Sequence, residues 1–268
     1  MKQRLLMCSP ETFDVNYEIN PWMQGQVGRI DQTAAVGQWQ RLQRLLAALA
    51  EVEVMPGDIA WPDLVFTANA GLPLPAERTF ILSSFRHPER QGEQAVNRRW
   101  FEARGWRCVA LAPGTCFEGA GDALLDSRGR LFIADGLRTD RAAADQIGEY
   151  FKGPIQSLRL VDPHFYHLDT CFCPLADGYA LYLPAAFDGA GEQALRQAFG
   201  ERLIALTPEE GRLFCANAVN IDHVVIMNEP TPRLALILKA AGFSVVATPL
   251  TEFMKSGGSA KCLTLRIA

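Results

Sequence analysis

The chain has 268 residues, 49% of them hydrophobic and 21% charged, with a net charge of −4 and a pI of about 5.6. That length supports a core large enough for independent stability, in one large domain or two small ones. The acidic balance argues against a nucleic-acid partner, which needs a basic face. No apolar run approaches the roughly 20 residues that span a bilayer, and the start, MKQRLLMCSPETFD, has no signal-peptide core before its acids begin. Seven cysteines, an odd number without a regular framework, point to a reduced, cytoplasmic chain.

In chain order, the run RLLMCS reads as a strand. The stretch 33–51 follows, with Leu42, Leu45, Leu46 and Leu49 at helical spacing, and predicts a core-packed helix leading into the strand VEVM. Residues 64–85 predict a hairpin with a long loop, then a helix (EQAVNRRWFEARG) and a strand (RCVAL). The order recurs at 122–134, a hairpin around an Arg-Gly turn, with a helix at 139–151 opened by Thr139 as N-cap and the strand SLRLVD. It recurs at 170–184, where Asp-Gly marks the turn, with the helix GEQALRQAFG and the strand RLIAL. A further copy joins the hairpin 217–228, a helix with Pro232 near its start and the strand SVVATPL. The last run, CLTLRI, would pair with RLLMCS and complete a unit split between the chain ends. Five ββαβ modules predict an α/β ring about an axis, a five-bladed α/β-propeller. No Pro/Ser-rich linker divides it, so 1–268 is expected to be a single domain.

One place in the module, the start of the first hairpin strand, repeatedly holds polar or reactive residues: Asp63, Glu118, His167, Cys215 and Cys262. Their spacings are 118−63=55, 167−118=49, 215−167=48 and 262−215=47. In a ring, equivalent positions face one centre, so acids, an imidazole and a thiol would meet there.

These residues sit in motifs that carry a resemblance over nearly the whole chain. INPWM, WPDLVFTANAGL, FRHPERQGE, FEGAGDAL, DPHFYHLDTCFCPL and GGSAKCLTLRI, in that order, resemble the guanidino-group modifying superfamily of pentein fold. The resemblance implies a Cys nucleophile after a Gly-rich loop, Cys262, a general acid/base His167 and a carboxylate Glu118, although Glu-Gly-Ala-Gly-Asp is one residue longer than the usual motif. It implies that Asp63, Asp169 and Asp122 engage the substrate, Asp122 less securely because of that insertion. Arg90 and Arg138 match arginines that bind the substrate carboxylate, and Asn20 falls in the region of a substrate lid. Asn69 stands where many relatives carry an Asp, a departure that resembles the dihydrolase members.

The chemistry fits these residue types. A guanidinium is a poor electrophile, so it must be gripped by planar charge-assisted hydrogen bonds and attacked by a strong nucleophile. Thiolate suits that carbon, and His167 can protonate the departing ammonia and then activate water. The expected reaction is therefore hydrolysis of a small guanidino compound without cofactor or metal. L-Arginine giving ornithine, carbon dioxide and ammonia is favoured, with dimethylarginine hydrolysis, arginine deimination, citrulline hydrolysis or amidino transfer as alternatives. A ribosome-binding role on the same fold is the non-enzymatic alternative, and a homo-oligomer stays open.

Plainer readings compete. A lone buried Cys is packing by default, and Cys8, Cys108, Cys116 and Cys215 are assigned that role. His164, His167, Cys171 and Cys173 are weighed as zinc ligands and set aside, because Cys-x-Cys is tighter than the usual ligand pair. Arg86 and Arg90 alone would read as solvated residues at a helix start, and Asp122 as a partner for backbone N–H groups in its Gly-rich turn.

Overall fold

The computed structural model describes residues 2–268. Its strands are short, mostly three to five residues, and each gains stability only by joining two others. They form five three-stranded sheets. In every sheet the middle strand pairs antiparallel with one neighbour and parallel with the other, the signature of a hairpin followed by a helical crossover. Thus Gly71–Leu74, Thr79–Leu82 and Arg107–Val109 form one sheet, with the helix Glu93–Glu102 between the last two strands.

The same plan holds for Ala123–Leu125, Leu131–Asp135 and Ile155–Arg159, for Phe172–Pro174, Ala180–Tyr182 and Leu203–Ala205, and for Val219–Ile221, Val224–Met227 and Ser244–Ala247. The fifth sheet is made by both chain ends. Arg4–Cys8 pairs antiparallel with Leu265–Arg266, with Leu5 opposite Arg266, and parallel with Glu51–Met55 across the helix Gln32–Leu49. On that helix Trp39, Leu42 and Leu46 are buried, while Leu45 and Leu49 are half-buried at the edge of its apolar face.

Hydrogen bonds run from each module to the next around one centre. Asn69 Nδ2 donates to the Glu118 carbonyl at 3.2 Å and Leu168 N to the Asp122 carboxylate at 3.0 Å. Asn217 Nδ2 donates to the Asp169 carbonyl at 2.9 Å, Cys262 N to Asn217 Oδ1 at 3.1 Å, and Ala68 N to the Cys262 carbonyl at 3.1 Å. The circuit closes on the module where it began, so the split module is locked into place by bonds that no contiguous segment could make.

Some local expectations shift. Residues 62–70 form two 3-10 turns, so the first hairpin strand begins at Gly71 and its loop spans only 75–78. Thr139 is not a helix cap: the helix is Ala142–Gly148, and Thr139 Oγ1 donates to Asp122 at 2.7 Å while accepting from Glu118 N at 3.0 Å. A buried polar pair outcompeted the cap. The Asp-Gly turn is as expected, with Asp177 at φ 55° and Gly178 at φ 73°, the left-handed pair of a tight hairpin.

Candidate active site

Short turns ahead of the first strands carry the polar residues inward. A turn, unlike a regular strand, lets several consecutive side chains converge on one point. Together they line a small cavity of about 10 Å³, room for about one water. Cys262, His167, Asp63, Asn69, Arg90, Arg138 and Asn20 all face it. The approach to Cys262 depends on glycine: Gly257 has φ +85°, and a Cβ there would sit 2.6 Å from the Tyr166 hydroxyl, while one on Gly258 would meet the Phe66 ring at 2.5 Å.

One side of the cavity is a network of paired charges. Glu118, fully buried, accepts from Arg138 Nη1 at 3.0 Å and lies 2.7 Å from His167 Nε2. Burial alone would raise its pKa, but the Arg138 guanidinium and His167 outweigh that and hold it well below the carboxylate range. An ionised Glu118 requires the proton on His167 Nε2, which leaves Nδ1 as the basic nitrogen. Burial lowers the His167 pKa to about 4, so the imidazole is neutral at pH 7. Arg90 is held bidentately by Glu93 at 2.7 and 2.8 Å and donates to Asn69 Oδ1 at 3.1 Å. Asp63 accepts from Tyr17 at 3.0 Å and from Ser256 at 3.1 Å.

The other side is anionic and nearly unpaired. Cys262 Sγ lies 3.4 and 3.5 Å from the two carboxylate oxygens of Asp169. Both groups are buried. Burial raises the Asp169 pKa to about 6, opposed mainly by Lys261. Burial, then Asp169, push the Cys262 thiol far up, while a 3.0 Å hydrogen bond from Asn217 opposes them.

The expected site residues therefore separate by depth. Glu118 lies behind His167, and Asp169 beside Cys262. Asp122 is set deeper, accepting from Thr139 and from Leu168 N, so it holds the turn that presents His167 and Asp169 rather than facing the cavity. Arg90 and Arg138 face the cavity but are tied to Glu93, Asn69, Glu118 and the Ile19 carbonyl. Cys215 is buried against the Glu229 carbonyl, away from the site. Exposed His164 pairs with Asp162, and no cluster of three metal-ligating residues occurs among the described residues.

Sequence reasoning missed Tyr17, Tyr166, Ser256 and Asn217. Tyr166 packs tilted against His167 with ring centroids 4.7 Å apart, lies under Arg138 at 4.5 Å, and donates to the Gly257 carbonyl at 3.0 Å. For Asn217 a signal existed: Phe-Thr-Ala-Asn-Ala at 66–70 recurs as Phe-Cys-Ala-Asn-Ala at 214–218, which puts Asn217, not Cys215, in register with Asn69.

A model of the family described as N,N dimethylarginine dimethylhydrolase, eukaryotic, matches residues 8–268. The chain belongs to this family. Within it, the N(G),N(G)-dimethylarginine dimethylaminohydrolase of Mycobacterium tuberculosis is 35% identical over 266 residues, covering 99% of this chain and 86% of the relative. The bifunctional arginine dihydrolase/ornithine cyclodeaminase AgrE of Nostoc sp. is 46% identical over 266 residues, covering 98% of this chain and 38% of the relative. The chain thus spans less than two fifths of such bifunctional relatives. The substrate-bound N-terminal domain of ArgZ, a cyanobacterial arginine dihydrolase, superposes with a TM-score of 0.97 at 44% identity, covering 99% of this chain and 98% of that one. Among the described residues no helix is long and apolar enough to cross a membrane.

Proposed function

We propose that this chain hydrolyses L-arginine to ornithine, carbon dioxide and two molecules of ammonia, with residues 1–268 acting as one catalytic domain. The observation that carries this reading is the Cys262–Asp169 pair on one cavity with the neutral His167, which Asn69 also lines while accepting from Arg90. Its likeness to an arginine dihydrolase domain along the full length supports the same choice.

The mechanism follows from the two-sided electrostatics. In the empty site the thiol is neutral, because burial and Asp169 disfavour the thiolate. A bound guanidinium supplies the missing positive charge, lowers both pKa values and makes the thiolate accessible. The thiol proton passes to His167 Nδ1, and Sγ attacks the guanidino carbon. His167 returns the proton to an amino group, the C–N bond breaks, ammonia leaves and an S-linked amidino intermediate remains. His167 then takes a proton from water, hydroxide adds, and the C–S bond breaks to give citrulline and thiolate. In the second round Sγ attacks the ureido carbon and ammonia leaves again. Water then releases a carbamate, which loses carbon dioxide to give ornithine. Two waters enter, and two ammonia and one carbon dioxide leave.

Asn69 keeps a second amide hydrogen beyond the one given to Glu118, and a donor without charge suits a ureido oxygen better than an Asp would. Because the cavity holds only a water, the roof at Ile19 and Asn20 must lift to admit arginine. Asn20 is held by Tyr166 at 3.3 Å and the Ser256 carbonyl at 3.1 Å, contacts that can break without unfolding a sheet. Seven free thiols, one of them the nucleophile, suit the reducing cytoplasm. The family match keeps dimethylarginine as the second reading.

Product analysis decides. Arginine and dimethylarginine would each be incubated with the protein, and ornithine, citrulline, methylamines and ammonia followed, with Cys262→Ser as the blank. Ornithine with about two ammonia per arginine, and a loss of at least about 10⁴-fold in the blank, is expected. Citrulline alone overturns the two-round reading, and dimethylamine release from dimethylarginine alone overturns the substrate.

A further inference from the structure

We propose that Asn217 is the site's thiolate-stabilising donor, the fourth module's contribution to the centre, and that it sets the reactivity of Cys262. The inference rests on Cys262 being the nucleophile. Asn217 is fully buried and uses both ends of its amide. Its Oδ1 accepts from Ser259 N at 3.0 Å and from Cys262 N at 3.1 Å. Its Nδ2 donates to the Asp169 carbonyl at 2.9 Å and to Cys262 Sγ at 3.0 Å. The amide cannot be flipped: two backbone donors face its oxygen and a backbone carbonyl faces its nitrogen, so the reverse orientation would set like groups against each other on both sides. One N–H is therefore fixed on the sulfur.

A donor aimed at sulfur favours the thiolate over the thiol, since hydrogen bonds to charged groups are stronger than neutral ones. The need is local. Asp169 faces Sγ and, with burial, opposes a negative sulfur. A backbone hydrogen bond from Ser259 and the charge of Lys261 act the other way, while the arginines across the cavity are already paired with Glu93 and Glu118 and His167 is neutral. Asn217 thus provides a side-chain hydrogen bond that, beside the backbone one from Ser259, a neutral, preorganised donor can give in every protonation state of the site. The same amide also fixes the turn 259–262, so it aims the sulfur as well as stabilising it.

The test measures the thiol itself. Iodoacetamide, which is displaced of iodide by the thiolate, would label the full chain between about pH 6 and 10, with Cys262 followed by peptide mass spectrometry in wild type, Asn217→Ala and Asn217→Asp. Asn217→Asp keeps an acceptor for the two backbone N–H groups and so holds the turn, while it removes the amide donor and adds a carboxylate that opposes the thiolate in the same direction. About 10- to 100-fold slower labelling of Cys262 at each pH in this range is expected in both, because the rate follows the thiolate fraction. The kcat for arginine should fall by a similar factor with KM changed less. An unchanged labelling rate in either variant, with its thermal unfolding close to wild type, overturns the role of Asn217. If wild-type Cys262 shows no labelling that arginine protects against, the nucleophile reading itself fails, and this inference with it.

Discussion

The two walls of the cavity carry the same kinds of acid and treat them in opposite ways. On the Glu118 wall, Arg138 and His167 sit within 3.0 Å of one carboxylate and hold it ionised. On the Asp169 wall the carboxylate is as deeply buried but, among the described residues, Lys261 is its one nearby cation, and its pKa rises to about 6. Depth is equal, so the difference comes from countercharge. The first wall is complete without substrate. The second is left short of positive charge, and a guanidinium is what would complete it. The difference teaches that this site stores its demand for a cation at Cys262 rather than spreading it over the cavity.

The contrast breaks most sharply at Arg138. Replacing it in Arg138→Met leaves Glu118 buried without its nearest cation, which should cost about 3–5 kcal/mol of stability. Urea unfolding at pH 7.5 measures it, and a cost below about 1 kcal/mol would mean that Arg90 alone compensates Glu118.

Asp169→Asn tests the other wall. A carboxyl whose folded pKa lies above its unfolded value weakens the fold as pH rises from about 4 through 6, because the native state holds the extra proton. Above that window the penalty is full, so removing the carboxylate should stabilise the empty protein at pH 7.5, by on the order of 1–3 kcal/mol. Turnover should fall at least about 100-fold, since the proposed acceptor for the guanidinium is gone. Greater stability with lower kcat/KM is the outcome that marks a wall strained for function.

A smaller effect separates the walls by pH. The folded His167 pKa is lowered to about 4 from 6.5, so the unfolded chain binds the proton first on acidification. This group's contribution is complete above about 6.5 and is lost as pH falls toward 4. Relative to His167→Gln, wild type should therefore lose on the order of 2 kcal/mol more stability between those values, since the raised carboxyls Asp169 and Glu93 act alike in both proteins. Equal slopes in urea titrations at pH 7 and 5 would show that the imidazole is already charged when folded.

Legibility differed by residue in ways that follow from range. Cys262, His167, Glu118 and Asp169 stand in short motifs whose chemistry is local, so their residue types already named a thiol, a base and acids. The hairpin at 170–184 was readable because Asp177 and Gly178 take left-handed backbone that few other pairs accept. Thr139 was misread because a cap is a local pattern, whereas its partners Asp122 and Glu118 lie 17 and 21 residues away. Only the family resemblance lifted Arg90 above a solvated residue at a helix start, and its bidentate lock to Glu93 three residues on was not readable, since that pair reads equally well as an exposed helix pair.

What the amino-acid order determined by itself was the module and its count: apolar alternation, turn residues and helical spacing are short-range, and they repeat five times. It also determined which chemical groups were available near each module's first strand. Only the tertiary structure decided which of them touch. Closing the ring brought Asn217 to Cys262 from 45 residues away and His167 to Glu118 from 49. Burial in the centre then set their charges, because desolvation and countercharge depend on neighbours from other modules and have no signature in any single one.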